Sequence, residues 1–458
     1  MTKLSGMIKA AGYSGKRSRV VFVAYERFLD WPVFDTQVVA PMAEQAKRGS
    51  PALALVAFER ADRFLLEFAG VFRKGRSIRA LTGARAILLP RPGGLFGLAF
   101  AQVAVALIFL FLRSPLIFHC RGAKGAYVLL LLKRLRPSVR VIFDVRGIEP
   151  EEFAYSFMKG AGSESLSPRA EREFRRLSEV ERSAVRAADF YFCVSESLKA
   201  HMVGKYGVRR QSVEVVPCGV SEKFSFDPWV RATIRRELGL EGAFVFIYVG
   251  STTANQMMRE TLWLFEGFRA RFPDSFLIAL VHEVSDVVPH LKRFRSLDSS
   301  VLLDRVANEK IPELLNAADF GMLLMEGGIQ NKVRAPIKFS EYMCCGLPVI
   351  TTDAAGDAKA EMERLGVGVV LPSFNIDASL VREGVYRSIA EAKLADEKRE
   401  DLSRTMRDKY RWSALVEKHL RSYRALVERP SSAASALSPS SIESGLLGGL
   451  RGRRSKAG

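Results

Sequence analysis

The sequence predicts an α/β protein that consists of two doubly wound parallel sheets, each with helices on both faces. Apolar runs rich in Val, Ile, Leu and Phe recur along the chain with helical stretches between them, and this alternation indicates parallel strands. A polar break at residues 221–227 divides the runs into two series. A chain of 458 residues is long enough to bury two separate cores. We therefore expect two Rossmann-like domains joined near residue 225.

The first predicted domain covers residues 18–224 and the second covers residues 225–395. Residues 1–17 precede them, and their basic composition is typical of a flexible arm. In the first domain we predict strands at residues 20–24, 52–58, 86–89, 116–119, 139–145, 189–194 and 213–216. In the second we predict strands at residues 243–249, 276–281, 301–303, 320–325, 347–351 and 367–371.

The C-terminal part of the chain shows no further strand pattern. It contains helical segments at residues 379–393, 396–410 and 412–429. The last two are amphipathic and rich in Arg and Glu, so we expect residues 396–429 to cross back and brace the first domain. Residues 430–458 are dominated by Ser, Ala, Gly and Pro and end in a basic cluster, which predicts a disordered tail.

Residues 93–112 form the most apolar stretch, with Gln102 as the only polar side chain. The length meets the criterion for a membrane-spanning helix. However, the stretch lies between two predicted strands of one sheet, and a span would place those strands on opposite sides of a bilayer. We favour a buried crossover helix that also dips into a membrane surface over a true span.

The cysteine content and the net charge limit the cellular compartment and the partners that we expect for this protein. The five cysteines do not form a disulfide framework pattern and the N-terminus has no signal-peptide core, so we expect a cytoplasmic protein. A net charge of +19 calls for an anionic partner. No zinc spacing or RNA-binding motif is present, which argues against nucleic acid. The anionic inner face of a membrane is the favoured alternative, beside a phosphorylated substrate.

Residues 335–352 are the most informative stretch of the chain. Pro336 suits the first position of a helix, and Gly346 suits its end. Lys338 and Glu341 then lie near the positive end of the helix dipole. Such an arrangement fits a ligand that carries both phosphate and hydroxyl groups. The alternative is a purely structural helix, since proline-initiated, glycine-terminated helices are common in α/β proteins.

Ligands of open parallel sheets bind beyond the carboxyl ends of the strands. Gly250, Ser251 and Thr252 follow one such strand and are candidates to cradle phosphate oxygens, although Ser and Thr are also common helix caps. Glu326 follows another strand of the second domain.

His119 and Arg121 end a strand of the first domain and are candidates for contact with an acceptor or a transferred sugar. For His119 an ordinary core histidine is an equally good interpretation. Asp144 and Arg146 lie two residues apart on the next strand and point the same way, so we expect an ion pair beneath the cleft.

The segment from Pro336 to Ile350 resembles the donor-binding signature of the family-four retaining glycosyltransferases, Pro-x-Lys-x-x-Glu-Tyr-x-x-x-Gly-x-Pro-Val-Ile. Residues 181–189, 194–198, 215–220, 248–251 and 311–319 are similar to further stretches of that family. The resemblance implies the GT-B architecture, in which two facing Rossmann-like domains bind the donor on the C-terminal domain and the acceptor on the N-terminal one. It also implies a metal-independent enzyme, and Glu341 as the residue that binds the ribose.

The sequence departs from the family pattern at the first of two glutamates that are separated by seven residues. Glu341 matches the second glutamate, but Val333 occupies the first position, and Glu326 is the candidate to replace it. The pair of basic residues that binds the donor phosphates is also absent. Only Arg259 and Lys338 are cations close to the expected site.

We therefore expect a hexosyltransferase that moves a sugar, with retention, from a nucleotide-sugar to a hydroxyl of a glycan or lipid-linked acceptor in cell-surface polysaccharide or lipopolysaccharide synthesis. The expected catalytic residues are His119, Arg121 and Glu326. The expected donor-binding residues are Gly250, Ser251, Thr252, Lys338 and Glu341. No cofactor or metal is expected, since the nucleotide-sugar is a substrate. The alternatives are a non-catalytic nucleotide-sugar-binding protein and a nucleotide-sugar epimerase or phosphorylase on the same fold.

Overall fold

The computed structural model describes residues 19–50, 52–111, 116–251, 257–297, 299–372 and 383–428. The described part of the chain contains a seven-stranded sheet followed by a six-stranded sheet. All strand pairs in both sheets are parallel. The predicted α/β class with two Rossmann-like units is therefore confirmed. Predictions for residues 1–17, Thr252 and residues 430–458 lie outside the described residues.

The first sheet is formed by strands from the N-terminal half of the chain. They are β1 (Arg19–Ala24), β2 (Ala54–Arg60), β3 (Arg85–Arg91), β4 (Leu116–Arg121), β5 (Arg140–Val145), β6 (Phe190–Cys193) and β7 (Val213–Val215). Their order is β3-β2-β1-β4-β5-β6-β7. Strands β2 and β3 are added on one side of β1, and β4 to β7 are added on the other side. Sheets of this kind form a ligand crevice at such a switch point, which here lies between β1 and β4.

Ten helices of the described residues surround this sheet. They are α1 (Pro32–Phe34), α2 (Ala40–Lys47), α3 (Ala61–Leu66), α4 (Phe68–Thr82), α5 (Gly94–Phe109), α6 (Gly122–Tyr127), α7 (Leu130–Leu135), α8 (Glu149–Ala161), α9 (Pro168–Ala187) and α10 (Glu196–Tyr206). A π-helical turn, Asp35–Val39, joins α1 to α2. One face of the sheet is buried beneath α2 and α4, and the other beneath α5, α6, α9 and α10.

The second sheet repeats this plan with a shorter set of strands. They are β8 (Phe244–Gly250), β9 (Ser275–Val281), β10 (Val301–Asp304), β11 (Phe320–Leu323), β12 (Val349–Thr352) and β13 (Val369–Leu371). Their order is β10-β9-β8-β11-β12-β13. In this sheet the switch point lies between β8 and β11.

The remaining helices cover the second sheet and close the chain. They are α11 (Pro228–Glu237), α12 (Met258–Arg269), α13 (Val288–Leu291), α14 (Ile311–Ala317), α15 (Ile329–Lys332), α16 (Ile337–Cys344), α17 (Asp357–Leu365), α18 (Glu383–Glu391), α19 (Asp396–Tyr410) and α20 (Trp412–Glu428). Helices α14, α16, α17 and α19 bury one face of this sheet, and α12 and α18 bury the other.

Helix α20 returns to the first sheet, where Trp412, Leu420 and Tyr423 join its core. The chain makes this crossing beside the linker that leads to the second sheet. Val220 donates its N–H to the carbonyl of Tyr410 at 2.9 Å and accepts from the N–H of Trp412 at 3.2 Å. The two chain segments that cross between the halves are thus hydrogen-bonded to each other through their backbones.

The strands lie where the apolar runs predicted them, with ends that differ by at most two residues. The run at residues 93–112 contains α5, which connects β3 to β4 as the expected crossover helix. Among the described residues, no helix combines the length and the apolar character that crossing a membrane requires.

Candidate functional site

Helix α16 places Lys338 and Glu341 one turn apart at the carboxyl edge of the second sheet. Pro336 is the N-cap in extended conformation, so the helix begins at Ile337, one residue later than predicted. The Lys338 ammonium donates to the Glu341 carboxylate at 2.8 Å. Glu341 is buried, whereas a quarter of the Lys338 side chain is exposed. The pair therefore presents a cation with unused donors beside the free N–H groups of the helix start.

Tyr342 fixes α16 against the sheet. Its ring lies so close to the backbone of β11 that a Cβ on Gly321 would stand 2.3 Å from the ring. Its hydroxyl accepts a hydrogen bond from the N–H of Val249, the penultimate residue of β8, at 2.9 Å. This tyrosine is fully buried, so its place in the signature reflects helix positioning rather than ligand contact.

The end of α16 is fixed by a buried arginine. Arg399 on α19 donates to the carbonyls of Gly346 at 3.1 Å and Ala318 at 2.7 Å. Burial, followed by the repulsion of Arg231, lowers the pKa of Arg399 to about 9. Gly346 has φ +62°, and a Cβ there would stand 2.2 Å from the Arg399 carbonyl oxygen. The C-terminal half of the helix is thus held by Tyr342 and by Arg399.

The carboxyl end of β8 lies next to that of β11. Strand β8 ends at Gly250, and the following Ser251 carbonyl accepts from the Tyr248 hydroxyl at 2.6 Å. Thr252 lies outside the described residues. Arg259, on the first turn of α12, contacts Glu260 at 3.3 Å and is 40% exposed. The phosphate-binding role of Gly250 and Ser251 stays a prediction.

Glu326, which follows β11, is held from the opposite half of the molecule. Its carboxylate accepts hydrogen bonds from the Tyr155 hydroxyl and the Lys159 ammonium, both on α8. Burial raises the pKa of Glu326, but the hydrogen bonds from Lys159 and Tyr155 outweigh burial and hold the pKa below its usual value. The candidate for the missing glutamate is therefore an ionised group that bridges the two halves.

Further contacts join the carboxyl edges of the two sheets. Val333, at the position of the missing glutamate, is buried against the core of the first sheet, and its carbonyl accepts from the Ser195 hydroxyl at 2.6 Å. The Asp357 carboxylate accepts from the N–H groups of Glu196 and Ser197 at 2.6 and 3.1 Å. The two edges therefore face each other across one cleft.

His119 lies inside the first half rather than on the cleft surface. It is 3% exposed. Its Nδ1 lies 2.7 Å from the Tyr423 hydroxyl on α20, and its ring stacks on Phe22 with centroids 4.5 Å apart. Burial lowers the pKa of the neighbouring His419 well below its usual value, so that histidine is neutral. These are the contacts of a core histidine, one of the two interpretations that the sequence left open.

Arg121 and Asp144 belong to a chain of charges under the cleft. Arg121 donates to Glu26 at 2.6 Å and lies 3.9 Å from Asp144. The predicted ion pair of Asp144 with Arg146 is confirmed at 3.3 Å. Burial raises the pKa of Asp144, but Arg146 and His119 outweigh burial and hold the pKa well below its usual range. A cavity of about 10 Å³, the size of one water molecule, lies among these groups.

The structure brings together some of the predicted residues and separates others. Lys338 and Glu341 form one unit, Glu326 lies on the cleft, and Arg121 ends β4 next to the crevice. The sequence reasoning missed Tyr155 and Lys159, because nothing in α8 marks them as partners of Glu326. Among the residues the structure describes, no group of three or more His, Cys, Asp or Glu side chains could hold a metal ion.

Two facing parallel sheets with contacts between their carboxyl edges define the GT-B class. The first half of the chain, residues 44–224, matches the family model described as Glycosyltransferase Family 4. The predicted resemblance to family-four glycosyltransferases of the GT-B fold is thus confirmed. The signature at residues 336–350 lies outside the matched residues.

Solved structures agree with this fold. HepE from Anabaena, crystallised with UDP, is 13% identical with a TM-score of 0.61, and the match covers 89% of this chain and all of HepE. Sucrose-phosphate synthase from Thermosynechococcus elongatus is 14% identical with a TM-score of 0.62, over 91% of this chain and 100% of the synthase. WaaG, a glycosyltransferase involved in lipopolysaccharide biosynthesis, is 15% identical with a TM-score of 0.59, over 90% and 100% of the two chains. No curated protein sequence matches this chain.

Proposed function

We propose that this protein transfers a sugar from a nucleotide-sugar to a hydroxyl of an acceptor, with retention at the anomeric carbon. The single observation that carries the proposal is the buried Glu341 carboxylate paired with the partly exposed Lys338 ammonium at the start of α16. A nucleoside diphosphate needs both a cation for its phosphates and an acceptor for its ribose hydroxyls. This pair offers both on adjacent turns of one helix.

In the proposed donor complex, the Glu341 carboxylate accepts hydrogen bonds from the ribose hydroxyls. The Lys338 ammonium and the N–H groups at the start of α16 neutralise the diphosphate. Gly250 and Ser251 contact the phosphates at the end of β8. A neutralised nucleoside diphosphate is a good leaving group, so the protein accelerates transfer mainly by positioning and by electrostatic stabilisation. No metal ion is needed for this chemistry.

The acceptor is proposed to bind on the first half of the molecule, at the carboxyl ends of β1 and β4. Arg121 and Glu26 form an ion pair there, and Arg121 retains a buried donor, Nη1, without a hydrogen-bond partner among the described residues. Glu326 is proposed to approach the transferred sugar once Tyr155 and Lys159 release it. His119 lies beneath this edge, with its Nε2 3.6 Å from the Asp144 carboxylate.

The acceptor class proposed here is a glycan or a lipid-linked sugar at the inner face of the cytoplasmic membrane. The net charge of +19 favours an anionic surface near the site of action. Two solved structures with this fold support the chemistry by their ligands or roles. HepE was crystallised with UDP-glucose, and WaaG takes part in lipopolysaccharide biosynthesis. UDP and UDP-sugars are therefore the first probes to use.

The test is a thermal-shift panel of nucleoside diphosphates and their sugars on the wild type, Lys338→Ala and Glu341→Ala. We expect at least one diphosphate to raise the Tm of the wild type and neither variant to respond. A response of both variants equal to that of the wild type would refute the assigned site.

Transfer is tested separately, with the donor that gives the shift and a membrane extract as acceptor. We expect labelled sugar to appear in the lipid or glycan fraction. Binding without transfer to any acceptor would favour a non-catalytic protein. The presence of Val333 at the position of the first glutamate is consistent with that alternative. Isomerised sugar from the donor alone would indicate an epimerase.

A further inference from the structure

Most of the large apolar side chains that the described residues expose lie on helices beside β3, the edge strand of the first sheet. On α3 and α4, Leu65 is 72% exposed, Phe68 52% and Phe72 60%. Phe68 and Phe72 stand one turn apart with their ring centroids at 4.8 Å. Soluble monomers rarely expose apolar side chains in such clusters, so this surface calls for a partner.

Helix α5 presents a second exposed apolar stripe on the other face of β3. Phe96, Phe100, Val103 and Leu107 recur at helical spacing, and Phe96 and Leu107 are 83% and 67% exposed. The opposite side of α5 is buried in the core of the first sheet. The helix is therefore apolar on its exposed side as well as on its buried side.

A groove runs between α4 and β3. It has a volume of about 360 Å³ and an apolar floor that includes Phe68, Val71 and Leu88. Arg76, Arg79 and Arg85 line the same groove. The combination of an apolar floor with guanidinium groups suits an amphiphile that carries an anionic head.

The arginines of the groove, together with Arg73 beside it, have no carboxylate partner among the residues that the structure describes. Within the ranges that the structure describes, Arg73, Arg76, Arg79 and Arg85 are exposed and form no ion pair or side-chain hydrogen bond with a carboxylate. The nearby acids are already occupied, because Asp62 pairs with Arg60 and Glu67 pairs with Arg63. This surface therefore carries uncompensated positive charge directly beside exposed phenylalanines.

We infer that α3, α4 and the exposed stripe of α5 form a surface that binds an anionic lipid bilayer. The arginines contact the headgroup phosphates, and the phenylalanine and leucine side chains enter the interfacial region. An anionic bilayer supplies negative charge and an apolar interior at once. A second copy of the chain docked by the same face would bring the arginines of both copies together, which is unfavourable. The inference goes beyond the proposed reaction and does not depend on it.

The test uses the full chain and sedimentation with vesicles of phosphatidylcholine, alone or mixed with phosphatidylglycerol. We expect binding to the mixed vesicles and much weaker binding to the neutral ones. The double variant Arg76→Gln/Arg79→Gln should lower the affinity for mixed vesicles by roughly five-fold for each arginine removed. Phe68→Ser/Phe72→Ser and Phe96→Ser/Leu107→Ser should also weaken binding, because they remove the inserted side chains.

Two control variants change similar side chains elsewhere. Trp229→Ser removes an aromatic ring that is 83% exposed on α11, and Arg404→Gln removes an exposed arginine of α19. Both should bind vesicles as the wild type does. Failure of the wild type to bind mixed vesicles, or equal binding of wild type and surface variants, would overturn the inference. So would a change of oligomeric state in Phe68→Ser/Phe72→Ser with vesicle binding unaltered, which would assign the surface to a second copy.

Donor binding separates this inference from the proposed function. The surface variants lie on the outer edge of the first sheet, so the thermal shift caused by a nucleoside diphosphate should equal that of the wild type. Loss of vesicle binding with an intact donor response supports the lipid surface alone.

Discussion

The Lys338 ammonium lies 2.8 Å from the Glu341 carboxylate, one turn further along α16. The Glu341 side chain is only 8% exposed, whereas the Lys338 side chain is 25% exposed. Each group therefore fixes the other in place before a ligand arrives. Because an ammonium carries three donors, the ion pair leaves Lys338 able to bind an anion as well.

The first prediction is that Lys338→Ala weakens donor binding without unfolding the protein. The variant removes a charge-assisted hydrogen bond to the diphosphate, which is worth about 1.5–3 kcal/mol. We expect the Kd for a nucleoside diphosphate, measured by titration calorimetry, to rise by roughly ten- to a hundred-fold. Lys359→Ala is the matched control, because Lys359 forms an equivalent pair with Glu363 on α17. An equal loss of affinity in both variants would point to general charge rather than to the site.

The second prediction concerns the bridge across the cleft. The double variant Tyr155→Phe/Lys159→Ala removes both hydrogen bonds to Glu326, so the two halves lose one of the contacts that hold their edges together. We expect a larger radius of gyration in small-angle X-ray scattering. Lys74→Ala, which breaks an ion pair with Asp35 inside the first half, should leave the radius unchanged. A radius equal to that of the wild type in the double variant would mean that the other contacts suffice.

The third prediction is a pH dependence of the same bridge. The pKa of Glu326 in the folded protein is lower than its usual value of 4.5, so the bridge stabilises the closed form above that pH. The stabilisation is lost as the pH falls through the lower folded-state pKa. Scattering between pH 7 and pH 3 should show opening in the wild type at the acid end. Glu326→Gln should remove this pH-dependent step, and an unaltered step in that variant would assign it to another group.

Local sequence patterns were sufficient to predict the strands and the placement of Lys338 and Glu341 near the start of α16, but their ion pair was not predicted. Apolar runs mark buried parallel strands, and residues three apart on a helix face the same way. The Lys338–Glu341 contact depends only on that spacing. The order of strands in each sheet, which the sequence patterns alone did not specify, is the order common in doubly wound folds.

Contacts between distant segments could not be predicted in this way. Lys159 and Glu326 are 167 residues apart, and His119 and Tyr423 are 304 residues apart. His119 ends a strand at the edge where ligands bind, so its position alone gave two interpretations. The return of α20 over the first sheet buries it, and the amphipathic pattern of α20 does not specify which strand residue it covers.

The fourth prediction distinguishes packing from chemistry at His119. Tyr423 bonds to both His119 and Gln45, so Tyr423→Phe removes one buried hydroxyl that serves two groups. We expect a loss of about 1–3 kcal/mol in the free energy of unfolding, measured by urea denaturation. His119→Gln and the double variant complete a cycle that should show coupling. If Tyr423→Phe left stability unchanged but reduced kcat, His119 would belong to the reaction rather than to the core.

The fifth prediction compares two glycines that end helices in the left-handed region. Gly346 follows α16 with φ +62°, and Gly366 follows α17 with φ +64°. A Cβ on Gly366 would meet no atom within 4 Å, whereas a Cβ on Gly346 would stand 2.2 Å from the Arg399 carbonyl oxygen. Gly366→Ala should therefore cost only the backbone strain, about 1–2 kcal/mol in the free energy of unfolding.

Gly346→Ala adds a clash with backbone to that strain, and α16 cannot retreat because Tyr342 anchors it to β8 and β11. We expect urea denaturation to show a larger loss for Gly346→Ala than for Gly366→Ala. We also expect Gly346→Ala to weaken nucleoside diphosphate binding, because a shift of α16 moves Lys338 and Glu341 together. Equal losses of stability in the two variants would show that Arg399 yields to the added methyl group, and that the end of α16 is less tightly fixed than its contacts indicate.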